Sequence, residues 1–241
     1  MELSERLLSI ANMVTPSSVV ADVGCDHAFV SIYLVEHEII PRAIAMDIGV
    51  GPLERAKEHV EAAGLTDLIE TRLSDGVEAL KPNEADCVLI AGMGGPLMQH
   101  ILKEGALILK DVRELILQPQ SEVCQFRHFL QEQGYHILSE SMVYEDGKFY
   151  PMMKVIHGQM DYQKEVEFQY GRILLQEENP VLNLFLKKER QTLRELLNEL
   201  DHKEQTERIM IRKSEINAEL ELISEALKYY QFGRDSWENE R

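Results

Sequence analysis

Up to about His157 the chain repeats one unit: a short apolar run, a polar or glycine-bearing turn, then a stretch with helical spacing. The apolar runs are SSVVADVG at 17–24, AIAMDI at 43–48, LIETRLSDG ending at Gly76, ADCVLIAG at 85–92 and ELILQPQ ending at Gln120. Between them, AFVSIYLVEH at 28–37, PLERAKEHVEAAG ending at Gly64, PLMQHILKEG ending at Gly105 and SEVCQFRHFLQEQG, with Ser121 as candidate N-cap, carry helical periodicity. YHILSESMVYEDGKFYPMMKVIHG adds two strands joined at Glu145-Asp146-Gly147, which makes seven. Near-continuous apolar strands separated by short helices predict an α/β fold, a mostly parallel seven-stranded sheet covered on both faces, with an antiparallel edge from the closing hairpin.

After Asp161 no strand-like run remains, so a domain boundary is placed near residue 160, dividing the chain into 1–160 and 161–241. The second part is helical by pattern. Asn179-Pro180 is expected to end a short helix over about 162–177. Leu182, Leu186, Leu193, Leu197 and Leu200 form one stripe, and Ile216, Leu220, Ile223 and Leu227 another, mostly at spacings of three, four and seven. With polar Asp201-His202-Lys203-Glu204-Gln205 between them, the stripes predict two antiparallel helices paired as a coiled coil, either within one chain or as a dimerisation element. A monomer or weak homodimer is expected.

Charge bears on what such a chain can bind. The formal net charge is −17, which disfavours nonspecific attraction to nucleic acid or anionic lipid. The acidity is uneven: residues 1–160 hold 12 Lys or Arg against 24 Asp or Glu, and residues 161–241 hold 13 against 18. Lys187, Lys188, Arg190 and Arg194, with Arg208, Arg212 and Lys213 on the facing arm, are either a phosphate-contacting face or a solvated face with i,i+4 pairs. Cys25, Cys87 and Cys124 are odd in number and far apart, which argues against a disulfide framework or a thiolate metal cluster. No stretch approaches the roughly 20 apolar residues that cross a bilayer, and no secretory signal pattern opens the chain, so no membrane partner and a cytoplasmic location are expected.

Ligands in parallel sheets bind at the carboxyl ends of the strands, near the reversal of strand order. After the first strand comes Asp22-Val23-Gly24-Cys25-Asp26-His27, where Gly24 permits close backbone approach and the next helix start offers free amides. The three-glycine fingerprint of a pyrophosphate site is missing. Asp47 ends the second strand, followed by Ile48, and its carboxylate is either a ribose acceptor or a solvent-facing strand end. Asp75-Gly76 either borders a base or makes an ordinary turn. Ile90-Ala91-Gly92-Met93-Gly94-Gly95-Pro96 is the strongest feature, because three glycines remove side-chain bulk where a reacting group must approach. Gln118-Pro119-Gln120 is either a base-edge contact or a turn. No HExxH, CxxC or GxSxG occurs, so no metal and no serine hydrolase is expected.

ADVGCDHAFV, AIAMDI with GPLERAKEHVEAAGL, RLSDG, IAGMGG, LILQPQ and EDGKFY together resemble the bacterial tRNA adenine-22 N1-methyltransferase family, a class I S-adenosylmethionine-dependent group. The likeness spans nearly the whole chain, including YGRILLQEENPVLNLFLKKER. It implies a Rossmann-like methyltransferase sheet with a C-terminal helical coiled-coil domain that contacts tRNA. It further implies that Asp22, Gly24, Cys25, Asp26 and His27 line the methionine side of S-adenosyl-L-methionine, that Asp47 and Ile48 hold its ribose, that Asp75 and Gly76 border its adenine, and that Ala91, Gly92 and Met93 lie beside it. Gly92 to Gly95 take the catalytic-loop position, with Asp26, Gly92, Gly94 and Phe29 as the catalytic set and Asp26 as an electrostatic partner of the cationic product base. The implied substrate is a tRNA with adenine at position 22, its N1 freed from pairing. The family often carries a tyrosine where this chain has Phe29, so a mechanism needing that phenol cannot operate, although stacking can. A methyltransferase of another substrate, or a non-catalytic RNA-binding scaffold, would keep the same fold.

Overall fold

The computed structural model describes residues 2–204 and 206–238, and divides into two compact units, 1–161 and 162–241. In chain order the first unit holds α1 (Glu5–Met13), β1 (Val19–Val23), α2 (Phe29–Glu36), β2 (Arg42–Asp47), α3 (Val50–Ala62), β3 (Ile69–Leu73), β4 (Cys87–Met93), α4 (Gly95–Glu104), α5 (Ala106–Leu109), β5 (Glu114–Pro119), α6 (Val123–Glu132), β6 (Tyr135–Glu145) and β7 (Lys148–His157). Seven strands form one sheet in the order β3-β2-β1-β4-β5-β7-β6, parallel from β3 to β5 and antiparallel at β7 and β6. The strand order reverses between β1 and β4, which opens a crevice at their carboxyl ends.

Successive residues of β1, β2, β4 and β5 are buried without alternation, which requires cover on both faces of the sheet. Helix α2 neighbours both α1 and α3, and α4 neighbours α6, supplying that cover as two groups. The β6–β7 hairpin turns through Asp146 and Gly147, both at positive φ (49° and 80°), the geometry whose twist matches paired strands.

Two local readings of the sequence are corrected. The N-terminal helix α1 lay outside the predicted elements; Ser4 caps it by accepting from the Leu7 N–H, and it buries Ile10 and Ala11. Ser121 does not cap α6: its carbonyl accepts from the Gly95 N–H, the chain passes through Glu122 at φ 51°, and the helix starts at Val123.

The second unit holds α7 (Glu165–Tyr170), α8 (Arg172–Gln176), α9 (Pro180–Asp201) and α10 (Glu207–Glu238). The single helix expected over 162–177 is broken at Gly171, whose φ of 89° suits glycine and not a continuing helix. Asn179-Pro180 starts the next helix instead of only ending the last one. The Asn179 side chain accepts from the N–H groups of Val181 and Leu182, and Pro180 takes the first turn, where a missing N–H costs nothing.

Helices α9 and α10 run antiparallel: Lys213 pairs with Asp201 at one end, and the Tyr230 hydroxyl donates to the Asn179 carbonyl (3.0 Å) at the other. Their seam buries Leu182, Leu186, Leu193 and Leu200 against Ile216, Ile223 and Leu227, while Leu197 and Leu220 are half-buried. Gln205 of the expected polar link lies outside the described residues. No helix among the described residues is long and apolar enough to cross a membrane.

Candidate active site at the strand carboxyl ends

The β1 end and the start of α2 form one wall of the crevice. Gly24 (φ 71°) turns the chain out of β1, and a Cβ on it would sit 2.3 Å from the Met93 Cε, so the glycine lets β1 and β4 close together. Asp26 and Ala28 also take positive φ (47° and 56°), completing a tight turn that brings Asp22, Gly24, Cys25, Asp26, His27 and Phe29 to a cavity of about 430 Å³. Its other wall is Ala91, Gly92 and Gln120, with Arg6 and Leu7 of α1. Gly92 is the extra residue of a bulge in β4: Ala91 pairs with Gln118 and Met93 with Pro119, and Gly92 between them has φ 82°.

Asp22 is the electrostatic feature of this cavity. Its carboxylate is buried, accepts one hydrogen bond from the Ser31 hydroxyl (2.8 Å), and has no cation beside it among the described residues. Burial pushes its pKa up to about 6; the Ser31 bond opposes the rise and the Asp47 charge adds to it. Such a site favours a cationic ligand over water. Burial next to Asp22 and Asp47 also pushes the Cys25 thiol up, so it stays protonated, and all three cysteines are buried and outside any disulfide.

Asp47 closes β2. One of its oxygens accepts from the Gly49 N–H (2.8 Å) and the other from the Asp26 N–H (3.3 Å), which fixes the carboxylate while each oxygen keeps a further lone pair. A second hollow of about 400 Å³ lies next along the sheet, lined by Ile48, Leu73, Ser74, Asp75, Glu78 and Ala79. Ile48 and Leu73 are 66% and 54% exposed, apolar faces left open beside a carboxylate, as a flat heteroaromatic ring would need.

The structure therefore gathers most of the sequence-predicted residues and sets several apart. Gly94 and Gly95 do not line the cavity: a Cβ on Gly94 would meet the Ser121 hydroxyl at 3.0 Å, and one on Gly95 the Ser121 carbonyl at 2.6 Å. They serve the packing of α4 against the start of α6. Met93 turns under Gly24, and Gly76 (φ 53°) packs against Ile101; neither lines either of these two hollows. Asp26 lines the cavity. Its side chain is 58% exposed and paired with Arg55 at 2.8 Å, so its charge is already offset. Phe29 lines the cavity but is not a free shelf, because its ring stacks on His27 (4.9 Å) and tilts against His59 (5.1 Å).

Sequence reasoning missed Arg6, whose helix had not been expected. The signal was present as Ser4-Glu5 followed by Leu7, Leu8 and Ala11, a capped amphipathic start.

A glycine turn after β1, an acidic end to β2 and an order reversal beside β4 define a nucleoside-binding α/β domain of the class I methyltransferase type. Residues 3–153 match the family model described as a methyltransferase domain. The tRNA (adenine(22)-N(1))-methyltransferase of Bacillus subtilis is 34% identical over 237 residues, 95% of this chain and 98% of that protein. Streptococcus pneumoniae Sp1610 in complex with S-adenosyl-L-methionine superposes with a TM-score of 0.84 at 35% identity, covering 94% of this chain and 100% of that one. M. capricolum TrmK in complex with S-adenosyl-homocysteine superposes with a TM-score of 0.81 at 29% identity, covering 95% of this chain and 99% of that one. The chain belongs to the bacterial tRNA (adenine-22 N1)-methyltransferase family.

Proposed function

We propose that this protein transfers a methyl group from S-adenosyl-L-methionine to N1 of adenine 22 in tRNA. The observation that carries the reading is Asp22, a buried carboxylate without a cation among the described residues, in the crevice of a fold whose similar structures include complexes with that cofactor and with its product. The residues fit the group: Asp47 offers fixed carboxylate lone pairs to ribose hydroxyls, Ile48, Leu73 and Asp75 border the adenine, and Gly24 leaves room for the methionine end. Bound there, the cofactor supplies a methyl on a cationic sulfur that leaves as a neutral thioether.

The protein's share is alignment and electrostatics. Adenine N1 brings its own lone pair at neutral pH, so no general base is required, and holding donor and acceptor in line supplies much of the rate. The N–CH3 bond forms as the S–CH3 bond breaks, and the positive charge passes from sulfur to the adenine ring. Asp22 and Asp47 keep a negative field over that path in a partly dry cavity. Gly92, bulged out of β4 without a side chain, leaves space for a base turned out of the RNA stack. Asp26 acts through its backbone, by orienting Asp47, and Phe29 with His27 forms the aromatic rim.

Residues 162–241 are assigned the grip on tRNA, with α9 and α10 as an antiparallel coiled coil. Lys187, Arg190 and Arg194 follow one another along α9 at spacings of three and four, Lys187 and Arg194 exposed and Arg190 half-buried at the flank of the leucine stripe. The facing cluster on α10 contributes less, because Arg212 pairs with Glu215 (2.9 Å) and Glu219 (3.4 Å) and Lys213 with Asp201. The test is incubation of the protein with labelled cofactor and unmodified tRNA carrying A22 or G22, followed by nucleoside mapping. The expected product is 1-methyladenosine at position 22 of the A22 substrate alone; label elsewhere, or equal label on both, overturns the reading.

A further inference from the structure

We infer that Arg6 is a phosphate-binding residue for the target nucleotide, placed by α1 at the acceptor side of the crevice. The inference rests on the methyl-transfer reading above and deepens it. Arg6 Nη1 donates to Gln118 Oε1 (3.0 Å), and the guanidinium carbon lies 5.3 Å from the centre of the Tyr150 ring. These partners are neutral. The Glu145 carboxylate accepts from the Arg6 backbone N–H (3.2 Å) and not from its guanidinium, which has no ion pair among the described residues. A half-buried guanidinium steered by an amide and an aromatic face keeps its charge available and its fork pre-oriented, which suits a phosphate.

Its place in the sheet selects the ligand. Asp47, Ile48 and Asp75 lie toward the β2 and β3 side of the order reversal, where the nucleoside half of the cofactor is assigned. Arg6 lies toward the other side, over Gln118 of β5 and Tyr150 of β7, and beside Gly92: a Cβ on that glycine would sit 4.0 Å from Arg6 Nη1 and 3.7 Å from Gln120 Nε2. An adenine entering over Gly92 brings its own phosphates to that rim. Within residues 1–160, with 24 acidic against 12 basic side chains, Arg6 is the one Lys or Arg lining this cavity among the described residues. Without a cation there, an RNA strand would meet the field of Asp22 and Asp47 unopposed.

The test uses the full chain and compares Arg6→Gln, Arg6→Lys and the unaltered protein. Arg6→Gln keeps a hydrogen-bond donor for Gln118 and loses the charge. It is expected to raise the tRNA KM about tenfold, and to lower the slope of log affinity against log salt by about one in tRNA binding measured without cofactor. Arg6→Lys should restore the slope, a rescue that a purely structural role would not produce. Two results overturn the inference: an unchanged salt slope in Arg6→Gln, or weakened S-adenosyl-L-methionine binding with intact methylthioadenosine binding, which would assign Arg6 to the cofactor carboxylate. Failure of the unaltered protein to methylate A22 would refute the function proposed above and not this inference, because the slope is read from binding alone.

Discussion

The two ends of the same sheet treat carboxylates in opposite ways. At the amino ends, Glu114 of β5 accepts from the Thr15 N–H (2.8 Å) and pairs with Lys154 (2.8 Å), while Asp86 accepts from the Val19 N–H (2.9 Å) and faces Arg113 at 3.4 Å. Burial raises the Glu114 carboxyl, but the hydrogen bonds from Lys154 and Thr15 outweigh it and hold the group below the usual range. At the carboxyl ends, Asp22 is equally buried, has only a hydroxyl as its side-chain partner, and is pushed up to about 6. A carboxylate finished by the protein's own cation stabilises the fold. One left unfinished by the fold is open to completion by a ligand.

The largest expected effect is at the closed end. Glu114→Ala strands Lys154 in a site where it is only 15% exposed, and should lower the unfolding free energy by about 3 kcal/mol in urea titration, with cofactor affinity of the folded protein unchanged. A matching loss of cofactor affinity would break the contrast between the two ends. Asp22→Asn should do the reverse, weakening S-adenosyl-L-methionine binding about a hundredfold by calorimetry with no loss of stability. The substitution removes a charge whose burial opposes folding by about 3 kcal/mol above pH 6 and keeps an acceptor for Ser31. A clear drop in stability would show that Asp22 is a structural group.

The pH dependences should differ in sign. Because the Asp22 pKa is raised in the folded state from 3.8 to about 6, the folded protein holds the extra proton in that interval, and the Asp22 contribution to stability falls as pH rises through it. The lowered Glu114 pKa gives stability that is present above the ordinary carboxylate range and lost as pH falls. Cofactor affinity should accordingly decline below pH 6 by up to about tenfold per unit, while the neutral S-adenosyl-homocysteine responds far less. Parallel pH profiles for the two ligands would remove Asp22 as the partner of the sulfonium. The smallest effect belongs to the helical unit: Lys187→Glu with Arg194→Glu should weaken tRNA binding by roughly three- to tenfold and leave cofactor affinity unchanged in a filter-binding assay.

Much of the site was legible as positions in a pattern. Gly24, Asp47 and Gly92 follow apolar runs, and a residue that follows a strand in a parallel sheet lies at the ligand edge whatever surrounds it. Partnerships were not legible. Asp26 and Asp47 look alike in sequence, yet Arg55 neutralises the first from 29 residues away, and the second accepts an N–H from 21 residues away. The three glycines around the end of β4 likewise split, Gly92 to the cavity and Gly94 and Gly95 to the neighbouring α6.

By itself the sequence determined the seven strands and the helices between the parallel ones, the strand junction at Glu145-Asp146-Gly147, the change of texture near residue 160 and the leucine seam of the helical unit. Each is a local preference of backbone or burial, written within a few residues or a fixed period. Only the tertiary structure decided which carboxylate stays unpaired, and that α1 brings Arg6 from the start of the chain to Gln118, 112 residues on. Electrostatic pairing and burial depend on distances in space, and chain separation carries almost no information about them.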